Sequence, residues 1–199
     1  IHSGVYQVLL GEADVREAIS RSEAGQYDVL AANRALAGAE IELVQEIARE
    51  MRLKNALADV LDDYDFILLD CPPTLTLLTL NGLVAAEGVL VPMVCEYYAL
   101  EGISDLVATV RKIRQAINPR LDIIGIVRTL YNSQSRLSQE VSEQLQSHFG
   151  RQLFTTTIPR NVRLAEAPSH GLPALAYDAK AKGTLAYLAL ADELLARMA

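Results

Sequence analysis

Asp70 is the side chain whose surroundings promise chemistry. It follows the apolar run Phe66-Ile67-Leu68-Leu69 and precedes Cys71-Pro72-Pro73. An unbroken apolar run of this length reads as a strand covered on both faces, the usual state of a central strand in a parallel sheet. Pro72 cannot donate to a ladder, and Pro73 keeps Pro72 extended, so the strand must stop there. Asp70 is thereby delivered to the carboxyl edge of the sheet, where open α/β sheets bind their ligands. A carboxylate at the tip of a buried strand is costly unless a cation meets it. A magnesium ion carrying nucleotide phosphates is one such cation. The other reading is a strand-end Asp that caps the next turn.

Further candidates follow the other predicted strands: Pro92–Glu96, Thr129–Arg136 and Pro159-Arg160-Asn161. In a parallel sheet all of these ends share one edge with Asp70. Singly, each proline reads as a strand terminator, and Arg160 and Arg163 read equally well as a solvated helix face. No GxxxxGK[ST] loop and no GxGxxG is present, and the 11 glycines are scattered. No histidine adjoins a nucleophile candidate at a strand end. His2, His148 and His170 are too far apart in sequence for metal-ligand spacing, and Cys71 and Cys95 form no CxxC, so both read as reduced thiols of a cytosolic protein.

The elements that must position these residues alternate. Val5, Val8 and Leu9 have helical spacing, and Asp14–Ser20 reads as a short helix. Tyr27–Ala31 reads as a strand. Ala35–Leu61 is a long helical region that breaks near Arg49–Leu53. After the Phe66–Asp70 strand, Thr74–Ala86 reads as a buried helix and Gly88–Pro92 as a strand ended by proline. Ala99–Asn118 is an amphipathic helix, Leu121–Thr129 a strand, Leu130–Ser138 a loop holding Arg136, and Gln139–Phe149 a helix. Leu153–Ile158 is a strand, Asn161–Pro168 a short helix or turn, Ala174–Tyr177 a short edge strand, and Lys182–Met198 a closing helix. Strand-helix alternation predicts an α/β fold, a mostly parallel sheet with helices on both faces, in a single domain over 1–199. The net charge of −7 argues against wholesale coating of nucleic acid, while a local basic patch stays possible. Asp70, Asn81, Glu87 and Glu96 interrupt every apolar stretch well short of the roughly 20 residues a membrane span needs.

In order along the chain, YDFILLDCPP at Tyr64–Pro73, NGLVAA at Asn81–Ala86, CEYYALEG at Cys95–Gly102, IPRNVRLAEAP at Ile158–Pro168 and KGTLAY at Lys182–Tyr187 resemble the ParA/Soj partitioning ATPases, of the deviant Walker A (MinD-like) group of P-loop proteins. LGEAD at Leu10–Asp14 and Tyr27–Glu40 match that family's middle region. The resemblance implies a P-loop NTPase fold and an ATP hydrolase using ATP and Mg2+. It implies an ATP-dependent homodimer that binds DNA nonspecifically, partners with a ParB/Spo0J-type centromere-binding protein, and works in the cytoplasm on the nucleoid without a membrane. It assigns Asp70 as the Walker B carboxylate holding magnesium through water. Pro72 and Pro73 would sit where nucleotide state is sensed, Pro159 and Arg160 beside the adenine, and Arg163 on DNA. Gln134 stands where many relatives carry a basic residue, with Arg136 as its candidate substitute. Cys95–Gly102 would lie near the dimer face. The chain opens on Ile1 and lacks the family's KGGVGKT-type loop, so the expectation is a fragment without the P-loop, inactive alone. The alternatives are a non-catalytic module pairing with full-length homologues and a MinD-like membrane-cycling ATPase. The tail Leu185–Ala199, with Asp192, Glu193 and only Arg197, disfavours the last.

Overall fold

The structure is a computed structural model describing residues 3–198, the side chain of Ala99 excepted. Ile1, His2 and Ala199, which begin and end the predicted pattern, lie outside the described residues. The chain divides into two compact units, residues 1–87 with 112–121 and residues 88–111 with 122–199.

The first unit is mainly helical. Helix α1 (Val5–Leu10) ends at Gly11, whose φ of 77° is the left-handed conformation glycine adopts freely. Asp14 caps α2 (Val15–Ala18) by accepting the Arg16 N–H at 2.7 Å. The helix expected over Asp14–Ser20 stops at Ala18, because Ile19 and Ser20 enter an antiparallel hairpin. Its strands are β1 (Ile19–Ser22) and β2 (Tyr27–Leu30), with Ile19 opposite Leu30. Helix α3 (Leu36–Leu43) is followed by a 3₁₀ turn at Arg49–Met51 and then α4 (Arg52–Leu57), which realises the expected break. Helix α5 (Leu77–Ala85) closes the series. Val8, Leu9, Val15, Leu43, Leu57 and Val60 form the buried core of this unit. Each such side chain contributes roughly 1.5–3 kcal/mol when fully buried.

The stretch Tyr64–Pro73 departs from its expected form. It has no regular secondary structure and pairs with no strand among the described residues. Ile67 and Leu69 pack on the core of the unit. Phe66 and Leu68 face the other way and are 48% and 86% exposed. The apolar run marks both faces as fit for burial, but the first unit supplies apolar cover to one alone. Asp70 therefore does not sit at the tip of a laddered strand.

The second unit contains a parallel sheet in the order β3-β4-β5. Its elements are β3 (Gly88–Val94), α6 (Ala99–Ala116) as far as Arg111, β4 (Asp122–Tyr131), α7 (Arg136–Phe149), β5 (Leu153–Pro159), α8 (Val162–Glu166), α9 (Ala174–Tyr177) and α10 (Lys182–Met198). Helices join successive parallel strands, so the α/β class is as expected. Three local expectations change. Strand β3 continues through Pro92 to Val94, since β3 lies at the edge of this sheet, where a missing N–H is tolerated. Ala174–Tyr177 is one helical turn, not an edge strand; the Tyr177 N–H donates to the Pro173 carbonyl at 3.0 Å rather than to a ladder. Arg136 opens α7 rather than lying in a loop, because Ser135 caps that helix. Val127, Phe154, Ile158 and Leu190 form the core between the sheet and α10. Among the described residues no helix is long and apolar enough to cross a membrane.

Candidate functional site

Strands β4 and β5 end side by side, and a cavity of about 400 Å³ opens at their carboxyl ends. Thr129 and Leu130 come from β4, Ile158 and Pro159 from β5, Asn161 and Leu164 from the start of α8, and Tyr187 from α10. The walls are mostly apolar. Leu130 takes a φ of 50°, a left-handed conformation that costs a side-chain-bearing residue about 1 kcal/mol or more. Asn161 accepts the N–H groups of Arg163 at 3.0 Å and Leu164 at 3.4 Å, and so caps α8 where it meets the cavity. Two of the sequence motifs touch here. A Cβ at Gly183 would lie 2.5 Å from Leu164 and 2.9 Å from Asn161, so only glycine lets the first turn of α10 approach α8 this closely. Pro159 thus lies in the cavity wall, and Arg160 follows it, exposed and without an ion pair or hydrogen bond among the described residues.

In the first unit, Asp70 is exposed, and its carboxylate makes no hydrogen bond or ion pair among the described residues. Its neighbour is pinned instead. A Cβ at Gly82 would come within 2.9 Å of the Cys71 sulfur, so the absence of a side chain on α5 seats the Cys71 thiol. Burial pushes that thiol above its ordinary pKa, and the charge of Asp70 adds to the effect. Pro72 and Pro73 are exposed in the turn beyond. At the other end of the stretch, the Tyr64 hydroxyl donates to Asp28 at 2.8 Å, and Arg21 pairs with the same carboxylate at 3.1 Å. Those contacts, the tyrosine first, hold the Asp28 carboxyl below its usual range.

The arginines differ in how free they are. Arg163 binds Glu166 at 2.9 Å and Asp178 at 3.6 Å, and the Glu166 bond raises its pKa further. Arg136 is 92% exposed and pairs with Glu140 one turn on. Gln134 is exposed in the turn before α7. In the Cys95–Gly102 segment, Cys95 is buried, while Tyr97 and Tyr98 stand exposed edge to face, 5.1 Å between ring centres.

Asp70 offers a metal ion one exposed carboxylate. Among the described residues no group of three His, Cys, Asp or Glu is placed to hold a metal. A single free carboxylate matches magnesium carried on phosphates with most of its waters retained, rather than an all-protein cage.

Four polar residues carry structural weight that sequence reasoning did not assign. Asn81, buried within apolar α5, accepts the Leu53 N–H at 3.1 Å and donates to the Arg49 and Leu77 carbonyls at 2.9 and 3.0 Å. Asn118 donates to the Leu83 and Ala86 carbonyls at 3.0 and 2.7 Å, closing the end of α5. Arg128 and Glu193 hold the backbone of β5 from two sides. A lone amide inside an apolar helix was the available signal for Asn81. Arg128 and Glu193 gave none for their hold on β5, since the groups they bind there are backbone N–H and carbonyl groups.

Comparison with known proteins adds the following. A family model described as an AAA domain matches residues 1–123. The chain is 47% identical over 193 residues to the chromosome-partitioning ATPase Soj of Treponema pallidum, covering 97% of this chain and 76% of that protein. It is 47% identical over 192 residues to the sporulation initiation inhibitor protein Soj of Bacillus subtilis, covering 96% and 76%. Among solved structures it resembles a cobyrinic acid a,c-diamide synthase from Mycobacterium smegmatis with bound ATP analog and magnesium. That match has a TM-score of 0.74 and 37% identity, covering 87% of this chain and 68% of that one.

Proposed function

The chain belongs to the ParA/Soj family of partitioning ATPases, and from that premise we propose that its gene product is an ATP-dependent partitioning protein that dimerises with ATP and, as a dimer, holds DNA without regard to sequence. The observation that carries the nucleotide reading is the apolar cavity at the carboxyl ends of β4 and β5, bounded by Pro159. Its apolar lining, at the carboxyl ends of parallel strands, supports reading it as a purine pocket. Pro159 supplies one wall and Arg160 a free cation beside it.

Asp70 would hold magnesium through water, its carboxylate being exposed and uncommitted. The ion, when bound, neutralises charge on the transferred phosphoryl group. Pro72 and Pro73, directly after Asp70, would transmit nucleotide state. Residues 1–199 carry no glycine-rich phosphate loop. We therefore expect these residues alone to show no measurable ATP affinity, since backbone amides of such a loop supply most phosphate contacts.

Retention of DNA would come from a few arginines of two subunits converging on the backbone. Each half-site is too weak alone, and ATP-driven pairing makes them one bivalent site. Arg163 and Arg136 are the candidates. Both are tied to carboxylates in the isolated chain, so phosphate would have to displace Glu166 and Asp178, or Glu140. Exposed pairs of this kind are worth no more than about 1 kcal/mol, which makes the exchange feasible. A ParB-type partner would stimulate hydrolysis and so release the DNA.

Replacement of Asp70 tests the reading. In the gene's full product, Asp70→Ala should abolish magnesium-dependent ATP turnover, measured by phosphate release. Undiminished turnover would return Asp70 to the role of a solvated loop residue.

A further inference from the structure

The ladder between β4 and β5 slips twice before the cavity. Ile126 faces Leu153, Arg128 faces Thr157, and Tyr131 faces Pro159. Two steps along β4 therefore match four along β5, and the next three match two. In a regular strand, consecutive N–H groups point to opposite sides. Here the consecutive N–H groups of Thr155 and Thr156 both donate to the carboxylate of Glu193 in α10, each at 2.8 Å. The consecutive carbonyls of Phe154 and Thr155 both accept from Nη2 of Arg128, at 2.8 and 3.1 Å. This is a bulge whose freed donors are held by an acid and whose freed acceptors are held by a base.

Both clamps are themselves braced. Arg128 Nη1 donates to the Ser142 hydroxyl of α7 at 2.7 Å. Arg197 donates to Glu193 at 2.7 Å and to the Leu153 carbonyl at 2.8 Å, and its guanidinium lies 3.8 Å over the Phe154 ring. The three residues that follow the bulge, Thr157, Ile158 and Pro159, run directly into the cavity wall. A slip of one residue in a strand exchanges its faces. It would turn Ile158, now 2% exposed, out of the wall and bring Thr157 in.

We infer that Glu193, together with Arg128, is a positioning residue for the nucleotide cavity: by holding the β5 bulge it sets where Ile158, Pro159 and Asn161 stand against the base. The inference rests on the reading of the cavity as a base pocket. Helix α10 serves the cavity twice, through Tyr187 in the wall and through Glu193 behind it. Truncation at Glu193 leaves two adjacent backbone donors without their acceptor, so the cost falls on the strand leading to the cavity rather than on α10.

Calorimetry on the gene's full product, comparing magnesium ATP with magnesium tripolyphosphate, tests this. Tripolyphosphate has no base and reads the phosphate contacts alone. The wild type should prefer ATP. Glu193→Gln, which keeps the shape but offers one acceptor for two donors, should lose ATP affinity by about tenfold, with tripolyphosphate binding unchanged. Glu193→Asp should recover part of the loss, and Asp192→Asn, on the exposed face one residue away, should change neither. If Glu193→Gln does not fold, Arg128→Lys, which retains the charge but not the forked donors, should show the same selective loss. Retention of the wild-type ATP preference by these variants overturns the inference. A wild type with no preference for ATP overturns the base pocket itself, and this inference with it.

Discussion

Asn81 is 1% exposed, and its side-chain amide is fully engaged, one acceptor and two donors. It joins α5 to the turn before α4, and α5 in turn seats Cys71 through Gly82. Asn81→Ala should therefore destabilise the protein by about 2–4 kcal/mol, because the partners it leaves are buried backbone groups. Denaturant unfolding measures this, and a loss below about 1 kcal/mol would contradict the assignment. At this scale the sequence was partly legible. Asp70 stood out as a carboxylate after an apolar run, and it is exposed and uncommitted in the structure. Pro159 stood out as a strand terminator, and it ends β5 in a cavity wall. The Asp178 pair of Arg163 was not legible, since Asp178 approaches from beyond α9 and chain order does not announce that meeting. Glu193 was read only as an acidic residue in the tail.

Helices and strands were legible where their cover is local. Lys182–Met198 forms α10 over the whole of its expected span, because its apolar face and its sheet partner both lie in the second unit. Two of the misread elements fail for different reasons. Phe66–Asp70 has the composition of a central strand, but composition states which faces can be buried, not whether neighbours cover them. Ala174–Tyr177 is too short for period to decide between helix and strand. Element pairing also carries a pH dependence. Burial works against a charge on Glu193, but the Thr156 and Thr155 N–H groups and Arg197 outweigh it and hold its pKa lowered to about 2. A carboxyl whose folded pKa is depressed stabilises the fold above its unfolded value, and that contribution is lost as pH falls through the folded one. The contact of α10 with β5 should thus weaken from about pH 4.5 down to about pH 2. The loss should be on the order of 3 kcal/mol. Acid unfolding of wild type against Glu193→Gln checks the sign: the variant should lose less stability across that window, and parallel curves would refute it.

At the scale of residues 1–199 taken together, the net charge of −7 argues against DNA being held by general attraction. Any retention has to come from local cations, brought together by assembly, and has to be strongly salt-dependent. The composition argues for that limit, and the assembly is the ATP-dependent dimer of the proposed function. The direct test is retention of an arbitrary duplex by the gene's full product, by filter binding at increasing salt, with ATP, with ADP and without nucleotide, and with Arg163→Glu alongside. The account predicts retention only with ATP and magnesium, a steep fall with salt, and weakened retention by Arg163→Glu with ATP-dependent dimerisation intact. Retention equal in all nucleotide states, or none in any, would contradict it.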